Sequence, residues 1–314
     1  MKTWNNPVLP SPVRDLNPNP ALFPTFEDLS LKHQTLIENF LRRYPPEISE
    51  MTFTNLFIWR HYYQFQVSFH RGFLTFMAHP PETSPFLLPP LGKGDLASWA
   101  LDCLDFLKAQ GFPPRLSRLP ESALKVFSPL PNLKIIFDRN NSDYVYRTQN
   151  LIRLSGNKYH TLKNHINRLN KKYAWEYLPL TPELIVECLD LQEEWCRLKQ
   201  CVESPSLLSE EQAIIEALTH IDLLNYKGGV IRIQGKVEAF TLGELLNPET
   251  VVIHIEKGNP ELSGLYPLIQ QQFLDQEWGM IPYVNREQDL GIQGLRKAKS
   301  SYHPEFMINK YIVI

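Results

Sequence analysis

The same succession of elements is written twice in this chain, and that constrains its fold more than any single motif. Phe26–Tyr44 has helical periodicity, with Leu29, His33, Leu36, Ile37, Phe40 and Leu41 on one face before Pro45-Pro46 stops it. Thr52–Arg60, Tyr62–His70 and Gly72–Ala78 follow, the last two reading as a hairpin around His70-Arg71-Gly72. The helical pattern Leu96–Gln110, a short helix at Ser122–Phe127 and strands at Leu133–Phe137 and Tyr144–Arg147 complete the first half. The second half repeats the grammar. Strand Trp175–Leu180 leads to helices Pro182–Lys199 and Glu210–Leu224, hairpin Gly229–Ile233/Val237–Leu246 and strand Val251–Glu256. Helix Leu262–Glu277, strand Met280–Asn285, a short helix near Gly294–Ser300 and a closing strand Tyr311–Ile314 end it. Helices, a meander, then strand–helix–strand define an α+β protein with a duplicated mixed, mostly antiparallel sheet.

The boundaries follow from this reading. Residues 1–25, with Pro7, Pro10, Pro12, Pro18, Pro20 and Pro24, form an extended arm. Two units at 26–153 and 175–314 flank a junction helix at 154–174. Prolines outnumber glycines, 26 to 14, and aromatic and aliphatic residues stay plentiful between them, so the excess stiffens connections rather than signalling disorder. No apolar run approaches the ~20 residues of a membrane span, the first twenty residues lack an apolar leader core, and cytoplasm is the expected location. Cys103, Cys188, Cys196 and Cys201 show no C-x-x-C spacing and are expected as free thiols. The nine histidines show no H-E-x-x-H spacing, and His160 and His165 lie too far round a helix to share a metal, so none is expected.

Thirty-two basic and thirty-four acidic residues give a net charge of −2, which excludes coating nucleic acid by bulk charge. The balance breaks locally. No acid occurs from Tyr144 to Trp175, a stretch holding Arg147, Arg153, Lys158, Lys163, Arg168, Lys171 and Lys172. Leu162, Ile166, Leu169 and Tyr173 form its apolar face; His160, Asn164, Asn167 and Lys171 form a polar stripe opposite. Such a face suits simple solvation, and equally the capture of one phosphate-bearing or carboxylate partner.

Two further segments concentrate polar residues where a strand meets a helix. In Val251–Leu274, His254 and Glu256 end a strand, Asn259 lies in the turn, and Gly264 and Tyr266 open a helix whose N-terminus could hold an anion. In the last segment, Asn285, Glu287, Gln288 and Asp289 precede a helix with Arg296, Lys297 and Lys299, followed by Tyr302. Each also suits an ordinary strand–helix connection. The chain has no G-x-S-x-G, P-loop or G-x-G-x-x-G motif.

Three runs carry a resemblance: Leu154-x-Gly156-x-Lys158-Tyr159-His160-x-x-Lys163-Asn164-x-Ile166-Asn167-Arg168; His254-x-Glu256-Lys257-x-Asn259 with Gly264-x-Tyr266; and Val284-Asn285-Arg286-Glu287-Gln288-Asp289-Leu290-Gly291 continuing through Gly294-Leu295-Arg296, Lys299 and Ser301-Tyr302-His303-Pro304. Together with Lys310-Tyr311, they resemble the bacterial family related to the C-terminal domain of phosphatidylglycerol lysyltransferases. The resemblance implies two tandem domains of the GCN5-related N-acetyltransferase fold, as in Fem-like aminoacyl-tRNA-dependent transferases. The family commonly has Lys-Arg-Asn where this chain has Leu162-Lys163-Asn164, and the membrane-spanning half of lipid-modifying synthases has no counterpart here. The acetyl-CoA signature Gln/Arg-x-x-Gly-x-Gly/Ala is absent from the turn Lys257–Gly264.

The expectation is therefore an aminoacyl-tRNA-dependent transferase acting on an amine or hydroxyl. Lys299 and N–H groups near Gly264 would serve the oxyanion or terminal phosphate, Asn285 and Glu287 would orient the acceptor, and Glu287 is the candidate base. Lys158, Lys163, Arg168 and Lys171 would hold the tRNA acceptor end. The acceptor would be an anionic small molecule, a peptide or a lipid. No firm cofactor is implied beyond aminoacyl-tRNA or acyl-CoA as donor. An acyl-CoA-dependent N-acyltransferase and a non-catalytic anion- or RNA-binding module of the same fold remain open.

Overall fold

The computed structural model describes residues 20–130 and 133–314. Most of the proline-rich arm lies outside the described residues. Its end lies on the fold: Ala21 and Phe23 exchange backbone hydrogen bonds with Phe69, and the Phe23 ring packs on His70 and Phe106.

Two mixed sheets flanked by helices make up the protein. The first runs Glu27–Asp28, Gln66–His70, Phe73–Ala78, Phe86–Leu87, Leu116–Pro120, Lys310–Val313, Ile135–Phe137, with Leu91–Gly92 beside Phe73–Ala78. The second runs Phe306–Ile308, Asp143–Arg147, Tyr283–Asn285, Thr250–Gly258, Lys236–Asn247, Lys227–Ile233, Trp175–Pro179. Sheet membership does not follow one cut in the chain. Asp143–Arg147, from the first half, pairs with Tyr283–Asn285 and Phe306–Ile308 in the second sheet. In return, Lys310–Val313 enters the first sheet between Leu116–Pro120 and Ile135–Phe137.

A continuous core joins the halves, because Ile37, Leu56, Phe57 and Phe76 bury against the same cluster as Leu191, Ile214, Leu218 and Phe240. Burial of large apolar side chains in one shared cluster makes separation of the halves costly. A second core forms under the helix Leu265–Trp278 and the junction helix His160–Lys172, whose Leu162, Ile166 and Leu169 turn inward as their spacing requires. Among the described residues, no helix is long and apolar enough to cross a membrane.

One expectation is corrected. Cys196 and Cys201 form a disulfide, while Cys103 and Cys188 are buried free thiols. Helix Ile185–Lys199 ends at Gln200 in the left-handed region (φ 53°), which folds the chain back and brings the two Cα atoms to 5.0 Å. That separation suits a bridge.

Candidate functional site

Asn285, at the end of strand Tyr283–Asn285, and the four residues after it are anchored through their side chains to several other elements. Asn285 is wholly buried; its amide donates to Asp143 (3.0 Å) and its side-chain oxygen accepts the Glu287 N–H (2.8 Å). That local turn sets Glu287 at φ 56°, a backbone region uncommon for a residue with a side chain. Arg286 pairs with Glu256 (2.9 Å) and lies 4.4 Å above the Tyr302 ring, with the Gln270 amide oxygen accepting from its guanidinium. Gln288 reaches Ser49 at 3.5 Å. Asp289 is buried and receives the bidentate Arg296 fork, both bonds 2.9 Å, with Tyr144 (2.6 Å) and Arg139 (3.2 Å) beside it. Burial opposes its ionisation, but Arg296, Tyr144 and the Gly291 N–H outweigh burial and hold the carboxyl well below the usual range.

Glu287 points at His254. The imidazole Nδ1 lies 2.9 Å from Glu287 Oε1 and its Nε2 lies 2.9 Å from Glu244 Oε1, so both ring nitrogens face carboxylates. Burial disfavours a charged ring, but the hydrogen bonds to Glu244 and Glu287 outweigh it and push the pKa up to about 9. His254 is thus an imidazolium clamped between two acids at neutral pH. Asn55 completes the cluster from the other half, with Nδ2 3.2 Å from Glu287 Oε1.

Lys299 covers the same loop from helix Gln293–Ser301. Its Nζ donates to the carbonyls of Arg286 and Gln288, each at 2.5 Å. Burial pushes its pKa down to about 8, with the Glu287 charge acting in the opposite direction. An ammonium poised to lose a proton therefore lies over a loop that carries a carboxylate. Glu256, behind Arg286, has one carboxylate oxygen buried without a partner, and burial raises its pKa against the pull of Arg286.

The Asn285–Asp289 loop, His254, Glu256, Lys299, Arg296 and Tyr302 are thus brought into one region. Asn259, Gly264 and Tyr266 are used to build the neighbouring turn. The Asn259 amide donates to Glu238 (2.8 Å) and its oxygen caps the Glu261 N–H (3.0 Å), while the Tyr266 hydroxyl accepts from Trp195 (3.2 Å). Gly264, at φ 104°, lies so close to the junction helix that a Cβ would come within 2.5 Å of the His165 carbonyl oxygen. Lys158 is exposed in the turn Asn157–Tyr159 that precedes the junction helix, and on the helix itself Lys163, Asn167, Arg168 and Lys171 are exposed and Asn164 half-buried. A surface depression of about 500 Å³ is lined there by Asn164, Asn167, Arg168, Asn170 and Lys171. The helix meets the site region through its flanks: His303, next to Tyr302, bonds the Lys158 carbonyl (2.9 Å), and His165 bonds Ser263 (3.0 Å).

Sequence reading missed Ser49, Asn55, Asp143 and Glu244. Their partners are distant along the chain or on an adjacent strand, and none carries a motif. It also left Lys310 as a motif position alone. In the structure Lys310 is fully buried, its ammonium 2.6 Å from both Glu50 and Asp143, and Arg118 closes on Glu50 at 3.0 Å.

The family model of the phosphatidylglycerol lysyltransferase C-terminal domain matches residues 41–314. A crystal structure of a conserved protein of unknown function from Bacteroides thetaiotaomicron is 33% identical, superposes with a TM-score of 0.85, and covers 92% of this chain and 98% of that one. L-PGS from Bacillus licheniformis is 14% identical with a TM-score of 0.60 over 89% of this chain and 90% of its own. FemX is 8% identical with a TM-score of 0.55 over 92% and 96%. These two show the shared fold, so the expected Fem-like α+β architecture is the fold of this chain. An uncharacterized protein of Mycoplasmoides gallisepticum is 23% identical over 184 residues, 57% of this chain and 58% of that protein, so the chain spans little more than half of that relative's length. With the family model matching residues 41–314, the chain belongs to the family of the phosphatidylglycerol lysyltransferase C-terminal domain.

Proposed function

We propose that the protein transfers an aminoacyl group from aminoacyl-tRNA to an amine or hydroxyl acceptor. The observation that carries this reading is that Lys299, from helix Gln293–Ser301, bonds the Arg286 and Gln288 carbonyls on either side of Glu287. Glu287 Oε1 is occupied by His254 and Asn55, which leaves Oε2 to accept a proton. Lys299, with a pKa near 8, is an acid able to give one. The ester of aminoacyl-tRNA is already activated, so the site has to position the acceptor, take its proton and neutralise the departing ribose oxygen. In this reading the acceptor nitrogen or oxygen bonds to the ester carbonyl carbon and its proton passes to Glu287. The ester C–O bond then breaks and the ribose oxygen takes a proton from Lys299. Asn285 acts on the Glu287 backbone and so positions the base.

Family membership supports transferase chemistry, and the acid-free, exposed junction helix supports a phosphate-bearing donor. The turn before helix Leu265–Trp278 suits an acyl-CoA pyrophosphate less well. Its Glu261, Leu262 and Leu265 N–H groups are taken by Asn259 and Leu262, and Gly264 is pressed against the junction helix.

The test supplies the full chain with tRNA charged with labelled amino acids and with separate amine, peptide and lipid acceptors. Acceptor-dependent transfer that is lost in Glu287→Gln and Lys299→Met is expected. No transfer to any acceptor, together with no tRNA binding at low salt, would sink the reading.

A further inference from the structure

We infer that Asn55, contributed by the N-terminal half, is a positioning residue that decides which oxygen of Glu287 is left free to take a proton, with Glu244 holding His254 in place behind it. The inference rests on Glu287 as the base of the proposed transfer.

Three observations lead there. Asn55 is buried on the short helix Phe53–Ile58, and its own N–H is fixed by the capping hydroxyl of Thr52 (3.0 Å). Its Nδ2 lies 3.2 Å from Glu287 Oε1 and 3.5 Å from His254 Nδ1. With the ring charged, Nδ1 is itself a donor, so the amide's acceptor is the carboxylate oxygen. Glu287 Oε1 then carries two donors from two halves of the chain, Asn55 and His254.

A carboxylate held by one donor can turn over and exchange its oxygens. Held by two at the same oxygen, it presents the other in one direction. His254 is fixed in turn because Glu244 takes Nε2, with the Thr52 hydroxyl 3.4 Å away. The charged groups facing this cluster are Glu244 and His254 from adjacent strands of the second sheet and Lys299 from helix Gln293–Ser301. Asn55 and Thr52 are the neutral members, and they alone come from the first half.

The test uses two readouts on the full chain. In the transfer assay, Asn55→Ala is expected to lower kcat roughly tenfold or more with KM within about twofold. Asn55→Asp, which keeps the volume, sets a second carboxylate beside Glu287 and is expected to move the acid limb of the rate–pH profile upward by about one pH unit. In nitrogen-edited NMR of the imidazole, assigned with His254→Gln, Asn55→Ala is expected to speed solvent exchange of the His254 Nδ1 proton while leaving the Nε2 proton toward Glu244 unchanged. Asn55→Ser repeats both readouts should the alanine variant fold poorly. Wild-type kcat in Asn55→Ala, or an unchanged Nδ1 proton, overturns the inference. If the wild-type protein transfers nothing, the proposed function falls and the imidazole signal alone decides whether Asn55 holds Glu287.

Discussion

Lys310 and Asp143 are both fully buried and meet at 2.6 Å, although each stands on the strand that its half of the chain lends to the other sheet. Glu50, held by Arg118, takes a second bond from the same ammonium, and Ser49 and Asn285 close on Asp143. This charge cluster therefore ties the exchanged strands together and ends at the Glu287 loop. Buried ions are tolerated when every partner is present and are costly when one is removed.

Lys310→Met is expected to destabilise the protein by about 3–5 kcal/mol, since it leaves Glu50 and Asp143 buried without their shared cation. Urea unfolding followed by tryptophan fluorescence checks this, read as a lower midpoint at an unchanged slope. A loss below 1 kcal/mol would mean that the cluster hydrates freely.

His254 predicts a pH dependence with a definite sign. Its folded pKa is raised from 6.5 to about 9, so its contribution is complete below pH 6.5 and is lost as pH rises toward 9. Stability is expected to fall by about 1.4 kcal/mol per pH unit over that range. Lys299 acts oppositely above about pH 8, because its pKa is depressed from 10.5 and raising the pH relieves that penalty. The clean window is therefore pH 6.5 to 8. Chemical denaturation there should show the slope in wild type and a flatter one in Glu244→Gln.

Lys299 should titrate apart from the surface lysines. After reductive methylation with labelled formaldehyde, one dimethyl-lysine resonance is expected to shift near pH 8, and Lys299→Arg should remove it. A set of lysines all titrating above pH 10 would contradict the burial that lowers this group.

Charge reversal on the junction helix separates binding from folding. Lys163→Glu with Lys171→Glu should leave the melting temperature within about 2 °C, because both side chains are exposed. The same pair should weaken tRNA binding at 50 mM salt and shallow its salt dependence, by roughly one unit of slope per lost phosphate contact. Filter binding across a salt series measures both.

Gly264→Ala should cost about 1–3 kcal/mol, read as a lower melting temperature. The residue sits at φ 104°, and a Cβ there would press on the His165 carbonyl.

Periodicity served well wherever a residue's partners lie along its own element. The Leu162–Ile166–Leu169 face, helix Leu96–Ala109 and the hairpin of Lys227–Ile233 with Lys236–Asn247 are where the spacing puts them. It failed where identity depends on a distant strand. Tyr311–Ile314 reads as a closing strand of the second unit, yet its pairing partners are Leu119 and Phe137. Nothing in a four-residue apolar run names the sheet it joins. Glu287 and Lys299 were legible because each lies in a dense polar run, and His254 because it interrupts the apolar run 251–255 just before Glu256. Asn55 lies in an apolar helix and Glu244 in an apolar strand, and only the fold brings them to His254 and Glu287. The bridge between Cys196 and Cys201 depends on one left-handed residue between them, which composition does not announce.

The exchanged strands also fix an order of events during synthesis. Lys310–Val313 leaves the ribosome after the whole of the second sheet, yet it fills an interior slot of the first. Until it arrives, Leu116–Pro120 and Ile135–Phe137 lack the neighbour that joins them, and the first sheet ends in an open backbone edge. The half made first is thus the half finished last, and Asp143, which holds Asn285 at the start of the Glu287 loop, gains its Lys310 partner only when that last strand seats.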